Sequence, residues 1–513
     1  MKKLNNCKSN KFLELALEEI PRLFGQLNRN PSSRSYGSFD RAYWHYRTND
    51  ISCARYQEAI YTLTLLYCCD FENNSYYQDR KILEWIRAAL RFTASLQRSN
   101  GSFDEWYVNE GSYVATAFVA SALGQTLVLF RGNKIEIEEE KVVISVLGKA
   151  AKFLENTAEK TVMNQVSGAI FAIASAGYIC DRKEPLAFAD KLLDKFISKQ
   201  NSEGWWSEYG GPDIGYLSLT ISYLEKYRRL TGKNKADAAI AKAKKFVEQF
   251  INPDHTAGGE YMSRNTEYII PSTALPYLGA LEPSHLDDRY LCYILYNWIE
   301  TGLKTVPKSI KINFGENYFA ESAILRVANT NYFLVANGKK GGSFRLYAKD
   351  KVYYDSGLEI AALSSGILDA SNQVKFKSGR MESLGVMKKI KEPLMTTVTM
   401  ILFKSWQFFF GRFSFTQKMV KNILRPHMIS YSGGSGLNFS RIIEYYTQVV
   451  VVTDTIYGSV RKGDIILGVK ASYSAVPSSK YAIACEISSE MLLPNMEEKI
   501  SSNSYTIKRV FNI

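Results

Sequence analysis

One short phrase occurs twice in this chain and constrains it more than any other feature. Gly37-Ser38-Phe39-Asp40 recurs word for word as Gly101-Ser102-Phe103-Asp104. Gln97-Arg98-Ser99-Asn100-Gly101 is echoed by Gln200-Asn201-Ser202-Glu203-Gly204, with Trp205-Trp206 behind it, and Gly258-Gly259-Glu260-Tyr261 is a looser copy. The intervals are 64, 103 and 55 residues, so the middle one holds two units. Between the turns, Gln57–Cys69, Ile82–Gln97, Val114–Phe130, Val142–Asn156, Gly168–Tyr178, Leu186–Lys199, Tyr216–Leu230 and Ala238–Phe250 carry helical apolar spacing. A period of roughly 50–60 residues closed by a Gly-aromatic turn predicts stacked helical hairpins. Such hairpins bury their faces in an open solenoid or by closing into an (α/α) toroid.

From about residue 308 the texture changes. Ser322–Val327, Tyr332–Asn337, Ser343–Ala348, Val352–Tyr354, Ile442–Thr453 and Tyr481–Ile487 alternate or run β-branched between Asn-Gly, Gly-Gly and Ser-Gly turns. The expected fold is therefore α+β and multidomain. An N-terminal (α/α) toroid over 1–305 precedes a C-terminal antiparallel β-sandwich over 308–513, with a basic-aromatic insertion at about 393–425.

Charge narrows the partners. The formal charge is +13, which favours polyanions, and no nucleic-acid-binding motif accompanies it. Aromatics make up 13% of the chain, led by 33 Tyr, a composition suited to stacking on sugar rings. With four His and no ligand-like spacing of His, Asp or Glu, no metal or other cofactor is expected. The seven scattered cysteines, with no CxxC pair, are expected to be reduced. No apolar leader opens the sequence and no window of 18 uncharged apolar residues is evident. The expectation is a cytoplasmic protein, peripheral at the inner face of a membrane.

Four clusters carry chemistry-bearing side chains. Asn164-Gln165 opens a helix of small residues and reads first as an N-cap. Gly204–Tyr216 gathers two Trp, two Tyr and two acids on a glycine-rich turn. There Trp205 reads as packing, while Tyr216 reads equally as packing or as a proton-transfer phenol. Arg264, within Gly259–Tyr268, offers a fork for a carboxylate or a surface pair with Glu267. Asp40–Arg47 brings aromatic, cationic and imidazole groups together around His45.

These segments carry a resemblance. Gly37–Arg47, Gly101–Phe118, Asn164–Gly177, Glu203–Tyr216 and Gly259–Asn265, with Tyr332–Phe344 and Asp355-Ser356-Gly357 in the β part, resemble the heparinase II/III-like proteins, toroid-plus-sandwich polysaccharide lyases. The resemblance implies an acidic, uronate-containing polysaccharide cleaved by β-elimination. Asn164 matches the position that neutralises the uronate carboxylate. Tyr216, 52 residues on, matches the catalytic tyrosine. His45, Trp206, Tyr209, Tyr261, Arg264 and Asn265 are the implied substrate-binding residues. Relatives usually add a second histidine and a structural metal site. Here His427 is the β-domain's one histidine and lies beside the insertion. The alternative is a non-catalytic or modifying glycan-binding factor in cell-surface polysaccharide biosynthesis. Terpenoid cyclisation, suggested by the Gln…Gly-Trp turns, lacks an acidic proton donor and leaves the β-domain unused.

The insertion has its own signature. Between Glu392 and Glu444 there is no acid, against Lys404, Arg412, Lys418, Lys421, Arg425 and Arg441. Met400–Phe403, Trp406, Phe408–Phe410, Phe413 and Phe415 supply its apolar members. The segment reads either as a helical excursion packed on the sandwich or, through 396–424, as a contact with anionic membrane, which suits a lipid-linked glycan.

Overall fold

The structure, a computed structural model, describes residues 10–157, 159, 162–277, 287–309, 311–360, 367–368, 373–391, 396–411, 413, 416, 431–460, 465–467 and 492–513. The proposed strand Tyr481–Ile487, His427 and most of the insertion beyond 411 lie outside those residues.

The helices run, in chain order, α1 (Lys11–Gln26), α2 (Arg41–Trp44), α3 (Ala59–Cys68), α4 (Arg80–Leu96), α5 (Tyr113–Gly132), α6 (Glu140–Asn156), α7 (Met163–Ile179), α8 (Lys183–Ile197), α9 (Ile214–Thr231), α10 (Asp237–Gln249) and α11 (Asp288–Gly302). An inner layer of α3, α5, α7, α9 and α11 is wrapped by α1, α4, α6, α8 and α10. The ring closes where α11 meets α3. Between α9 and α11 it is bridged by an extended segment. There the Ile270 N–H donates to Ser218 Oγ at 2.8 Å, and Ser222 Oγ donates to Asn297 Oδ1 at 3.0 Å.

Sequence dictates the two layers. Inner helices α5 and α7 are apolar on nearly every side and rich in Ala, Gly and Ser, which lets them approach closely. A Cβ on Gly168 would meet the Phe118 ring at 2.4 Å, and one on Gly124 would meet Ser175 Oγ at 2.4 Å. Outer helices bury one stripe; α4 hides Ile82, Ile86, Ala89, Leu90 and Thr93. Contrary to the expectation of no long apolar window, α5 is long and apolar enough to cross a membrane, but 89% of its 18-residue apolar window is buried in the toroid.

The repeated phrase is mortar between hairpins. Gly37, Gly101 and Gly204 take φ of +95°, +89° and +108°. A Cβ there would come within 2.4 Å of Ala88 C, 2.2 Å of Lys149 O and 2.5 Å of Lys242 O, so only glycine fits. Gln97 Nε2 donates to Gly101 O and Val146 O, and Gln200 Nε2 donates in the same way to Gly204 O and Ala239 O. Each turn is thereby fastened to the next outer helix.

The β part begins with an antiparallel sheet in sequential order: β1 (Gly315–Phe319), β2 (Ile324–Ala328), β3 (Tyr332–Asn337), β4 (Ser343–Ala348) and β5 (Lys351–Asp355). Then come β6 (Glu359–Ile360), β7 (Ile367–Leu368), β8 (Gln373–Lys377), β9 (Arg380–Lys391), a helix α12 (Thr397–Phe409), β10 (Tyr431–Tyr445), β11 (Val449–Tyr457), β12 (Ile465–Ile466), β13 (Asn495–Ile500) and β14 (Ser504–Asn512). The second sheet has the order β13-β14-β11-β10-β9-β7, with β8 on β9, while β12 pairs with β6. The expected single strand Ile442–Thr453 is instead a hairpin, with Tyr445 opposite Val450. Its turn, Tyr446-Thr447-Gln448, lacks Gly, Pro or Asn and is masked by the valine run that follows. Where the sheets face each other, Arg441 and Arg509 meet Asp355 and Asp454, all essentially buried.

The first sheet grips the toroid. Arg345 donates to Glu260 at 2.9 and 2.7 Å and to Glu267 at 2.8 Å. Gly259, at φ +130°, leaves room for that guanidinium, since a Cβ would lie 2.6 Å from its Nη2. Asn337 Nδ2 donates to Tyr261 O at 2.7 Å, and Arg326 Nε donates to Gln249 O at 2.8 Å. The Glu321 and Ser322 N–H groups donate to Glu203. The sandwich thus braces the two loops, 203–213 and 258–268, that carry most of the candidate site.

Candidate active site at the open end of the toroid

All inner helices run the same way, so their N-termini and the loops before them converge on one end. Asn164 is the second residue of α7, not its cap; the N-cap is Val162, which has no side-chain bond to offer. The missing cap comes from another turn. Glu208 Oε1 accepts from the Asn164 N–H at 2.6 Å, supplying the acceptor that a helix N-terminus lacks. Tyr216 occupies the third position of α9, whose own N-cap Asp213 accepts the Tyr216 N–H at 2.8 Å. Gly215 before it is required, because a Cβ would strike the Tyr268 ring at 2.7 Å.

Arg264 joins these parts. Its guanidinium lies 4.5 Å from the Tyr209 ring centroid and 5.3 Å from that of Tyr216. Tyr209 is held at φ +56° and is 38% exposed. Asn265 also takes a positive φ, and its Oδ1 accepts from Lys340 Nζ of the β-domain. A second group adjoins. Arg289 stacks 4.5 Å over Trp106, which is 63% exposed, and pairs with Glu105 at 3.1 Å. Beneath them Arg55 bonds Glu58 and lies 4.5 Å from the Phe118 ring and 5.2 Å from that of Tyr293.

The electrostatics of these groups are unusual. Burial pushes the Glu208 carboxyl up to about 8; the backbone and side-chain N–H groups of Asn164 oppose this, while Asp213 reinforces it. Glu208 is therefore mostly a neutral acid near pH 7. Burial also raises Tyr216 well above the ordinary phenol value, with Arg264 pulling the other way. Several buried polar atoms here have no hydrogen bond of good geometry among the described residues: Asn164 Nδ2, Glu208 Oε2, Ser263 Oγ, Tyr268 Oη and Arg289 Nε. Buried polar groups are normally satisfied; unsatisfied atoms also occur elsewhere in the toroid and the sandwich, and those beside Asn164 and Glu208 are the ones a polar ligand bound there would complete.

The sequence-predicted residues divide. Asn164, Tyr209, Tyr216, Arg264 and Asn265 come together. Trp206 does not join them: it is buried, stacked on Phe196 at 4.7 Å, and spends its indole N–H on Phe196 O. Tyr261 is wholly buried and donates to Asn252 Oδ1. Both are packing residues, drawn inward because a hairpin turn must bury its aromatics to dock on the next hairpin. The ring contacts of His45 are to its neighbours Trp44 and Tyr46, and it stands exposed at the C-cap of the single turn α2. The Arg264–Glu267 surface pair is replaced, since Glu267 turns inward to Arg345. Sequence reasoning missed Glu208, Arg289 and Trp106 as individuals. Glu208 lay in a quoted turn, but nothing local shows that it caps a helix 44 residues earlier.

No family model matches the chain, and no curated protein is similar to it in sequence. Solved structures are similar in fold. The chondroitin AC lyase of Streptomyces coelicolor A3, solved in complex with chondroitin sulphate, superposes with a TM-score of 0.53 at 9% identity, over 98% of this chain and 76% of that one. A point variant of that enzyme gives 0.51 at 8% identity over the same shares. Heparinase III gives 0.44 at 11% identity over 98% of this chain and 89% of that one. The chain has the polysaccharide-lyase fold, a helical toroid followed by an antiparallel β-sandwich.

Proposed function

We propose that this protein is a carbon–oxygen lyase that cleaves acidic, uronate-containing polysaccharide by β-elimination at the open end of its toroid. The observation that carries the reading is the meeting of Asn164, Glu208, Tyr216 and Arg264, from three separate turns, in a group with unsatisfied donors and acceptors. The Asn164 amide and the neutral Glu208 carboxyl each donate to the uronate carboxylate, withdrawing charge and acidifying the C5 proton. Tyr216 takes that proton as its phenolate, a form that burial disfavours and that Arg264 beside the ring partly restores. The C5–C4 double bond forms as the C4–O bond breaks, and the Tyr216 phenol returns the proton to the leaving oxygen. No proton is left over. Tyr209 and Trp106 offer faces for flanking sugar rings.

The test is a rise in low-ultraviolet absorbance from the unsaturated uronate, across a panel of uronate polysaccharides. Tyr216→Phe is expected to lower the rate about 10²–10⁴-fold and Asn164→Ala about 10²–10³-fold. No rise on any substrate, with glycan binding intact by calorimetry, would instead select the second reading, a glycan-binding factor in cell-surface polysaccharide assembly. The exposed Trp106 beside Arg289 favours binding in either case.

A further inference from the structure

Helix α12 is built inside out. It starts autonomously, with a Thr396/Thr399 capping box. Toward the protein it turns Phe403, Trp406 and a buried Gln407 whose amide atoms find no hydrogen-bond partner among the described residues. The opposite face carries Val398, Ile401, Leu402, Phe408 and Phe409, between 59% and 79% exposed. A solvent-facing helix of a soluble domain has the reverse pattern, and contiguous apolar patches of this kind mark a covered surface. The helix is also tethered to the toroid. Phe403 packs edge-on against Tyr107 at 5.2 Å, and Lys404 pairs with Asp50 at 2.6 Å. Both partners sit in the loops that precede inner helices, at the open end.

Charge identifies the cover. No Asp or Glu occurs from 393 to 443, while Arg412, Lys418, Lys421 and Arg425 follow the helix directly. Arg441 does not belong to this set, since it is buried against Asp355 and Asp454. A second copy of the chain would have to set the same acid-free, basic stretch of sequence against itself, which like charges oppose. An anionic bilayer instead matches both halves, with apolar side chains at the acyl boundary and cations at the headgroups. We infer that α12 is an interfacial membrane helix, which lays Val398, Ile401, Leu402, Phe408 and Phe409 into an anionic bilayer and holds the open end of the toroid beside it. The docking stands independently of catalysis. Its corollary, that the glycan handled there is lipid-linked or otherwise membrane-attached, rests on the lyase reading.

The experiment is flotation of the full chain with vesicles of neutral lipid and with vesicles containing about one-third anionic lipid. Wild-type protein should float with the anionic vesicles and be partly released by salt. Combining Ile401→Ser, Leu402→Ser, Phe408→Ser and Phe409→Ser should lower the bound fraction at least about tenfold, with an unchanged thermal melt, because these side chains are exposed. The inference is overturned if the wild type stays at the bottom of the gradient, or if the variant floats equally well. It is also overturned if the four changes break a dimer that shows no vesicle binding. Elimination assayed on soluble polysaccharide should be equal in both proteins. Flotation without elimination on any substrate would sink the lyase reading and leave the membrane helix standing.

Discussion

Two carboxylates, each almost fully buried, meet opposite fates in this molecule. Asp355, between the sheets, accepts from Arg441 at 2.9 Å and from Arg509, and the Gly357 N–H donates to the same group. Burial pushes its pKa up, but the two guanidinium groups outweigh it and hold Asp355 below the ordinary value. Together with Asp454 the cluster balances two positive charges with two negative. Glu208 has one firm hydrogen bond and, among the described residues, no partner for its second oxygen and no ion pair; Arg264 opposes burial only weakly, and the group is pushed up to about 8. A buried acid with its counter-charges is a fastening. One without them marks a candidate functional group.

The difference can be broken experimentally. Asp355→Asn leaves two buried guanidinium groups facing one carboxylate, and should cost about 3–5 kcal/mol of stability, read by chemical denaturation. A loss below about 1 kcal/mol would mean that the cluster is solvated and not a fastening.

Glu208→Gln should act in the opposite sense, and with pH. Below about pH 4.5 the Glu208 carboxyl is protonated in folded and unfolded chains alike. Between about 4.5 and 8 it is ionised only when unfolded, so native stability falls as pH rises, by roughly 4 kcal/mol over the window. The glutamine variant lacks this slope. Denaturation at pH 5 and pH 8.5 measures it, and parallel behaviour of the two proteins would show that Glu208 is ionised and paired.

Arg264→Ala sharpens the contrast from the side of the candidate site. The side chain is partly exposed and stacked on rings rather than paired, so stability should change by less than about 1 kcal/mol. Elimination should fall, with its pH optimum moved upward as the phenolate of Tyr216 loses support. Equal activity in wild type and variant would remove Arg264 from the mechanism.

Much of the architecture was legible in the chain. The Gly-aromatic turns announced their own spacing because each needs a glycine pressed on a neighbouring backbone, and steric demands of that kind leave a mark at a single position. Helices α3 to α10 were legible because apolar periodicity is local. Helix α11 was not: Asp288–Gly302 is buried along most of its length, as α5 and α7 are, but no Gly-aromatic turn stands directly before it in the sequence. The site was half legible. Asn164, Tyr216 and Arg264 could be named from their turns, yet the same reasoning gave Trp206 and Tyr261 to substrate binding when both are buried in the joints between hairpins.

What the sequence determined by itself was the set of elements and the places where hairpins must meet, since periodicity, turn glycines and caps act over a few residues. Only the tertiary structure decided which way each aromatic faces, that Glu208 caps the helix of Asn164, and that α12 leaves its apolar face uncovered. Those outcomes depend on burial and on partners tens to hundreds of residues away, and desolvation exists only once the chain has closed around a group.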